Sequence, residues 1–157
     1  MRLRPLIIAA ISAATLSACA TTPPPVIERF DTNRSYGASR DVVWERAVEW
    51  FATQNIPIKA IEKESGIISG EAAYLRTVQG EYAVCETPMM YTTNGATARL
   101  NILIRGTGQN ATAQVNVTIV GEAIYAFSNP PMRQSVPCQS TGRLENSILN
   151  YLGAPSR

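Results

Sequence analysis

The sequence predicts an α+β fold in which an antiparallel sheet of about five to six strands packs against two helices. Apolar residues with helical spacing follow Ser39, and a second helical stripe closes the chain at Leu144, Ile148 and Leu152. Between them, apolar and polar residues alternate on both sides of the turn formed by residues 106–110. The predicted order is strand, helix, four or five further strands, helix. Two amphipathic helices beside a sheet with one apolar face form a two-layer domain.

The first two predicted elements are a short strand within residues 27–36 and a helix that runs to about Gln54. Ser39 is a typical N-cap, and Asp41 lies in the first turn, where a negative charge is favourable. The apolar face of the helix consists of Val43, Trp44, Ala47, Val48, Trp50 and Phe51. Asn55 and Pro57 end it. Two tryptophans on one face are compatible with a ligand site, but the pattern favours a helix packed on a sheet.

Several short strands follow. Ile56, Ile58 and Ala60 alternate as a strand, residues 63–66 indicate a turn, and Ile67 begins the return strand. Tyr82 and Val84 belong to a further strand, which is expected to include Cys85. Residues 86–95 indicate a loop.

A strong hairpin comes next. Its apolar positions are Leu100, Ile102 and Ile104 on one arm and Ala113, Val115, Val117 and Ile119 on the other. The intervening polar residues, Asn101, Gln114, Asn116 and Thr118, predict that the opposite face of the sheet meets water. Residues 121–137 are expected to be irregular. The last helix is predicted from about Thr141 to Leu152, with Gly153 and Pro155 as its stop.

The N-terminal segment has the features of a secretory signal peptide. Arg2 and Arg4 precede a short apolar stretch, and small residues precede Cys19. The apolar stretch is far shorter than the ~20 residues that a spanning helix needs. The sequence therefore predicts that residues 1–18 are removed on export.

The residues Leu16-Ser17-Ala18-Cys19 resemble the lipobox of bacterial lipoproteins. The resemblance implies that Cys19 is acylated and becomes the first mature residue, which anchors the protein in a lipid bilayer. Ala20 after that cysteine resembles the sorting pattern for the outer membrane, so the expected location is its periplasmic side. Residues 19–26 then form a short tether with three prolines, and residues 27–157 form a single domain.

The charge balance and the remaining cysteines restrict the partners. Without Arg2 and Arg4, 12 basic residues (14 minus 2) balance 12 acidic ones, which argues against nucleic acid as a partner. Cys85 and Cys138 remain after Cys19 is used for lipid. An exported compartment is oxidising, so they most simply form a disulfide, with two buried free thiols as the alternative.

The sequence offers little for catalysis. It has no histidine and no G-x-S-x-G motif, and its glutamates are scattered. Glu62 and Glu64 flank a turn, where solvated charges are expected rather than an acid/base pair. These features predict a protein that is not an enzyme, with no cofactor and no metal site.

A candidate partner surface follows from the predicted disulfide. It pins the loop that leaves Cys85 beside the loop that reaches Cys138. The surface comprises Met89, Met90, Tyr91, Phe127, Met132 and Arg133. These residue types are enriched in protein interfaces. The alternative is that they only cover the open end of the sheet.

The stretch from Ser39 to Phe51, with Ile56, Ile58 and residues 63–68, resembles a pattern in small Gram-negative lipoproteins. It is also similar to the domain repeated in the C component of the outer-membrane β-barrel assembly machinery. The resemblance implies a helix-grip (TBP-like) fold, in which a curved antiparallel sheet embraces a helix. It also implies a non-catalytic accessory module that binds another envelope protein.

Two other functions stay open. The first alternative is an inhibitor of an envelope-attacking enzyme such as lysozyme. The second is a carrier that holds a small ligand between helix and sheet. In the second case, Trp44, Trp50 and Phe51 are expected to line the cavity.

Overall fold

The computed structural model describes residues 30–72 and 81–154, and it confirms the α+β fold. Its elements are β1 (Asn33–Tyr36), α1 (Arg40–Thr53), β2 (Ile58–Glu62), β3 (Ile67–Ala72), β4 (Ala83–Cys85), β5 (Thr92–Thr107), β6 (Asn110–Tyr125), β7 (Met132–Ser140) and α2 (Arg143–Gly153). The strands form one antiparallel sheet of seven strands, one more than the largest number expected.

The long β5–β6 hairpin organises the sheet, whose order is β2-β3-β5-β6-β7-β4. β5 pairs with β6 along nearly its whole length. The other edge of β6 is shared by two strands. β1 pairs with residues 111–114 and β7 with residues 119–125. The two ends of the hairpin therefore have different neighbours.

Helix α1 forms as its sequence predicts. The hydroxyl of Ser39 accepts a hydrogen bond from the Val42 amide at 3.4 Å, which satisfies one of the free donors at the helix N-terminus. The buried residues of this helix are Val43, Trp44, Ala47, Trp50 and Phe51. They pack against α2 and the inner face of the sheet.

The main core lies between the two helices and one half of the β5–β6 hairpin. On the sheet it includes alternate residues from Ala96 to Ile104 and from Ala111 to Ile119. Ile148, Leu149 and Leu152 of α2 complete it. The hairpin continues beyond this core to Thr92 and Tyr125.

The C-terminal end of α2 is tied to two neighbouring elements. The Tyr36 hydroxyl donates to the Leu149 carbonyl at 2.8 Å, and the Arg46 guanidinium donates to the Leu152 carbonyl at 2.9 Å. The last four carbonyls of a helix have no intrahelical partner, so the Arg46 contact satisfies one of them, and the Tyr36 contact ties β1 to the last turns of α2.

The predictions of irregular structure in two regions are wrong. Residues 86–95 were expected to be a loop, but β5 already begins at Thr92. Residues 121–137 were expected to be irregular, but β6 runs to Tyr125 and β7 begins at Met132. Pairing of β6 with both β5 and β7 outweighs the local turn preference of these segments. Helix α2 begins at Arg143, two residues later than predicted, after Gly142 in a left-handed conformation (φ 79°).

The outer face of the hairpin is polar, as the alternation predicts. Asn101, Asn116 and Thr118 are exposed, and Gln114 is partly exposed. Cys19, the signal peptide and the tether lie outside the described residues.

Candidate functional site

Cys85 and Cys138 form the predicted disulfide, with an S–S distance of 1.98 Å. The two residues are also direct partners in the β4–β7 pairing. The bond therefore joins the short edge strand β4 to the strand that pairs with the outer half of β6. The bond therefore fixes the start of the segment after Cys85 beside β7.

The disulfide packs on the backbone of β6 at Gly121. A Cβ atom at this position would lie 3.0 Å from the Cys138 Sγ atom and 3.1 Å from the Cys85 Sγ atom. It would also lie 3.0 Å from Cγ2 of Val136. A Cβ atom here would be closer than ordinary van der Waals contact, so the sulfur atoms and Val136 would have to move by a few tenths of an ångström to admit it.

We call the part of the sheet beyond the main core, where the ends of β5 and β6 continue beside β7, the β5–β6–β7 extension. The segment after Cys85 folds back over the inner face of this extension. The Glu86 amide donates to the Pro137 carbonyl at 3.1 Å, and the Thr87 and Thr93 hydroxyl oxygens lie 2.6 Å apart. Ala123 and Val136 are buried here, at 0% and 4% exposure, although they are not part of the main core. The extension therefore has a small buried layer of its own, held by the disulfide.

Beyond this layer, the end of the extension is covered by exposed apolar side chains. The ring centroids of Tyr91 and Tyr125 lie 5.3 Å apart, and those of Tyr125 and Phe127 lie 5.7 Å apart. Met132 is the cross-strand partner of Tyr125. Met89 and Met90 lie in the turn that the Tyr91 amide closes by donating to the Pro88 carbonyl at 3.1 Å.

We call this end the apolar tip, defined as Met89, Met90, Tyr91, Tyr125, Phe127 and Met132. Four of its side chains are strongly exposed: Met89 at 90%, Phe127 at 79%, Met90 at 61% and Met132 at 56%. Clustered exposed apolar side chains mark interaction sites more often than scattered ones do. The structure thus brings five of the six predicted surface residues to one end of the sheet. Tyr125 was missed because its segment was expected to be irregular.

Arg133, the sixth predicted residue, lies on a different face. Its register partner is Ile124, and its guanidinium donates to Glu122 Oε2 at 2.8 Å. The same oxygen accepts a hydrogen bond from the side-chain amide nitrogen (Nδ2) of Asn94 at 3.0 Å. These three side chains, from three adjacent strands, lie in a hollow of about 440 Å3. We call it the polar hollow.

The electrostatics of the polar hollow favour a charged Glu122. Hydrogen bonds from Asn94 and Arg133, together with the positive charge of Arg133, lower the pKa of the Glu122 carboxyl below its ordinary value. A second ion pair, Arg99 with Glu71 at 3.5 Å, contributes to the lining. The hollow therefore presents fixed charges of both signs to solvent.

A separate cleft of about 410 Å3 opens between the helices and the sheet. It is lined by Trp50, Ile56, Tyr82, Leu100 and Leu144, among others. Burial and the neighbouring Glu81 carboxylate raise the pKa of the Tyr82 hydroxyl, which stays neutral at physiological pH. Of the three residues expected to line such a cavity, Trp50 does so. Trp44 and Phe51 are core residues, at 5% and 0% exposure.

The carboxylates considered for acid/base chemistry lie apart from the polar hollow and from the cleft between the helices and the sheet. Glu62 and Glu64 are exposed at the β2–β3 turn, where Glu62 Oε2 accepts a hydrogen bond from the Ser65 hydroxyl at 3.2 Å. Within residues 30–72 and 81–154, no group of three His, Cys, Asp or Glu side chains is placed to bind a metal ion. No helix in the same ranges is long and apolar enough to span a membrane.

No protein-family model matches this chain, and no curated protein matches it in sequence.

Proposed function

We propose that this chain is a lipid-anchored protein of the bacterial outer membrane whose periplasmic domain binds another envelope protein without catalysing a reaction. The proposal has two parts, the anchor at Cys19 and the docking surface next to the disulfide. Each part has its own support and its own test.

The anchor is supported by the sequence around Cys19. A basic start, a short apolar stretch and small residues before the cysteine resemble a lipoprotein signal. Mass spectrometry of the intact protein from membranes tests it. We expect a chain that begins at Cys19 and carries diacylglyceryl and N-acyl groups. An unmodified chain that retains Met1 would contradict the anchor.

The docking surface for a protein is supported by one observation above all, the network of Asn94, Glu122 and Arg133 in the polar hollow. It links an amide, a carboxylate and a guanidinium across three adjacent strands, β5, β6 and β7. Arginine is enriched at protein interfaces, and a concave site on a rigid scaffold suits specific recognition. Because both partners are exposed, the pair contributes little to folding stability.

A photo-crosslinking residue at Ser135 tests the docking surface in cells that express the full-length protein. Ser135 lines the hollow and is exposed, but takes no part in the ion pair. The matched control carries the same residue at Asn116, which is exposed on the same face of the sheet. We expect one discrete protein adduct from position 135 and none from position 116.

The variant Arg133→Gln makes this test specific. It should reduce the adduct at position 135 several-fold while leaving the urea unfolding midpoint nearly unchanged, because the ion pair is exposed. An adduct that forms equally from position 116, or that persists at full yield in the variant, would contradict the docking surface. An adduct with a muramidase would favour the inhibitor function instead.

The helix–sheet cleft supports a second candidate function, the carriage of a small apolar ligand. Trp50, Ile56 and Leu100 give it an apolar lining. Native mass spectrometry of the protein released gently from membranes is the test. A bound mass that the variant Leu144→Trp removes by filling the cleft would support carriage, and its absence would exclude this candidate.

A further inference from the structure

We infer that the apolar tip rests in the interfacial layer of the bilayer that holds the lipid anchor, so that the long hairpin stands end-on to the membrane. This inference depends on the anchor proposed above at Cys19. It assigns the apolar tip to lipid and leaves the polar hollow beside it for the partner protein. The argument uses the direction of the chain, the length of the tether, and the distribution of charge.

The described chain runs away from the apolar tip as it passes through β1. β1 is antiparallel to β6, with Tyr36 opposite Ala111 and Asn33 opposite Gln114. The pairing continues where the Val115 amide donates to the Thr32 carbonyl at 2.8 Å. Followed backwards from Tyr36, the chain therefore moves along β6 towards Tyr125.

Phe30 is the first residue that the structure describes. Its ring lies against the backbone of Gly142, just after β7, so that a Cβ atom on Gly142 would meet the ring. β1 and β7 share this edge of β6, so Phe30 lies beside the end of β7 on the same edge that β1 occupies.

The chain from Cys19 to Thr32 is long enough to let the anchor and the apolar tip lie at one level. Ten residues of β6 separate Val115 from Tyr125, which is roughly 33 Å of extended strand. Thirteen residues separate Cys19 from Thr32, and at about 3.1 Å per residue they reach roughly 40 Å. The maximum reach exceeds the distance by about two residues of chain, so a Cys19 anchored in the bilayer allows the apolar tip to contact the lipid surface.

The composition of the apolar tip suits a bilayer interface. Residues 87–98 and 123–132 include no Asp, Glu, Lys or Arg. Tyrosine and phenylalanine are favoured at the membrane–water boundary, and exposed methionines add apolar surface. The charged residues that border these two ranges are Glu86, Arg99, Glu122 and Arg133, of which Glu122 and Arg133 form an ion pair on the outer face.

The opposite end of the domain is charged. Asp41 and Lys63 form an exposed ion pair at 3.0 Å there, beside Glu64. The Ile104 amide donates to the Gly66 carbonyl at 2.8 Å, which places this turn near the closed end of the β5–β6 hairpin. The domain is thus apolar at the end towards which β1 runs when it is followed backwards, and charged at the other.

Fluorescence of the lipidated full-length protein in vesicles of phosphatidylethanolamine and phosphatidylglycerol tests the inference. A single cysteine is introduced as Phe127→Cys and labelled with an environment-sensitive fluorophore under non-reducing conditions, which leave the disulfide intact. The matched control is Gln109→Cys, exposed in the turn at the other end of the hairpin. We expect a blue shift and at least two-fold quenching by spin-labelled lipid at position 127, and neither at position 109.

Emission at position 127 that matches position 109 would overturn the inference. Mass spectrometry of the same sample separates this failure from that of the anchor, because the acyl groups are measured independently. A label at position 127 that is shielded only in native outer membranes, and not in pure lipid vesicles, would show that a protein covers the apolar tip, and would also overturn it.

A second variant tests the role of the side chains themselves. The triple change Met89→Ser, Phe127→Ser and Met132→Ser makes the apolar tip polar, and a label introduced as Met90→Cys reports on it. The altered side chains are 56–90% exposed, so the midpoint of urea unfolding should stay nearly unchanged. We expect the lipid quenching at position 90 to fall at least two-fold relative to the unaltered tip, and unchanged quenching would count against the inference.

Discussion

Gly121 lies so close to Cys138 that a Cβ atom on Gly121 would be 3.0 Å from the Cys138 Sγ atom. The disulfide is therefore a packed part of the sheet, seated directly on the backbone of β6. It holds β4 and the segment after Cys85 against the extension that carries both the polar hollow and the apolar tip.

The variant Gly121→Ala should destabilise the domain by about 1–3 kcal/mol, because the methyl group meets both sulfur atoms and Val136. Urea unfolding of the oxidised protein measures this. Gly37→Ala is the control, since no described atom lies within 4 Å of its Cβ position. Equal midpoints for the two variants would show that the sheet relaxes around the added methyl group.

Removal of the disulfide should cost about 4 kcal/mol in the chain-entropy model, because the bond closes a loop over a separation of 53 residues. The double variant Cys85→Ser, Cys138→Ser is compared with the oxidised wild type by urea unfolding. Reduction of the wild type should give the same lower midpoint. A midpoint that neither change lowers would mean that the bond adds nothing to stability.

The variant Gly66→Ala should be more damaging than Gly108→Ala. Both glycines have positive φ, 77° and 58°, so both substitutions strain the backbone. A Cβ atom on Gly66 would also collide with the Ile104 carbonyl, whereas no described atom lies within 4 Å of the Cβ position of Gly108. We expect a difference of about 2 kcal/mol or more in the free energy of unfolding. Equal losses would show that only the positive φ matters.

The sequence predicted the elements whose signals are local. Ser39 caps α1 and its apolar stripe is buried, because N-caps and helical periodicity depend on neighbours within a few residues. The β5–β6 hairpin was found from its alternation. Its extension to Thr92 and Tyr125 was not, because the segment around Asn94 and Gly95 contains turn-favouring residues, while the pairing that makes it a strand involves residues far away in sequence.

The candidate site shows the same division. The number of cysteines and the expected oxidising compartment sufficed to predict the disulfide, and the loops beside it were correctly expected to bring Met89 and Met132 to one end of the sheet. The separate place of Arg133 depends on the β6–β7 register, in which it faces Ile124 and therefore shares the outer face with Glu122. A register between strands has no local signature, so the polar hollow was not foreseeable.

The hydroxyl of Tyr36 makes a contribution to folding stability that is lost at alkaline pH. It donates to the Leu149 carbonyl at 2.8 Å, and burial raises its pKa to about 12, although the nearby Arg34 acts in the opposite direction. In the unfolded chain the pKa is about 10. Between pH 10 and 12 the unfolded state therefore loses a proton that the folded state keeps. The contribution of Tyr36 is complete below pH 10 and decreases as the pH rises through that window.

The variant Tyr36→Phe should separate the hydrogen bond from the titration. At pH 8 the wild type should be more stable by about 1 kcal/mol, the usual net value of such a bond. Between pH 10 and 12 its stability should fall more steeply than that of the variant, and the gap should narrow. Urea midpoints at pH 8, 10 and 11 measure this, with Tyr151→Phe as the control. Parallel curves for wild type and Tyr36→Phe would show that burial of Tyr36 does not couple folding to its ionisation.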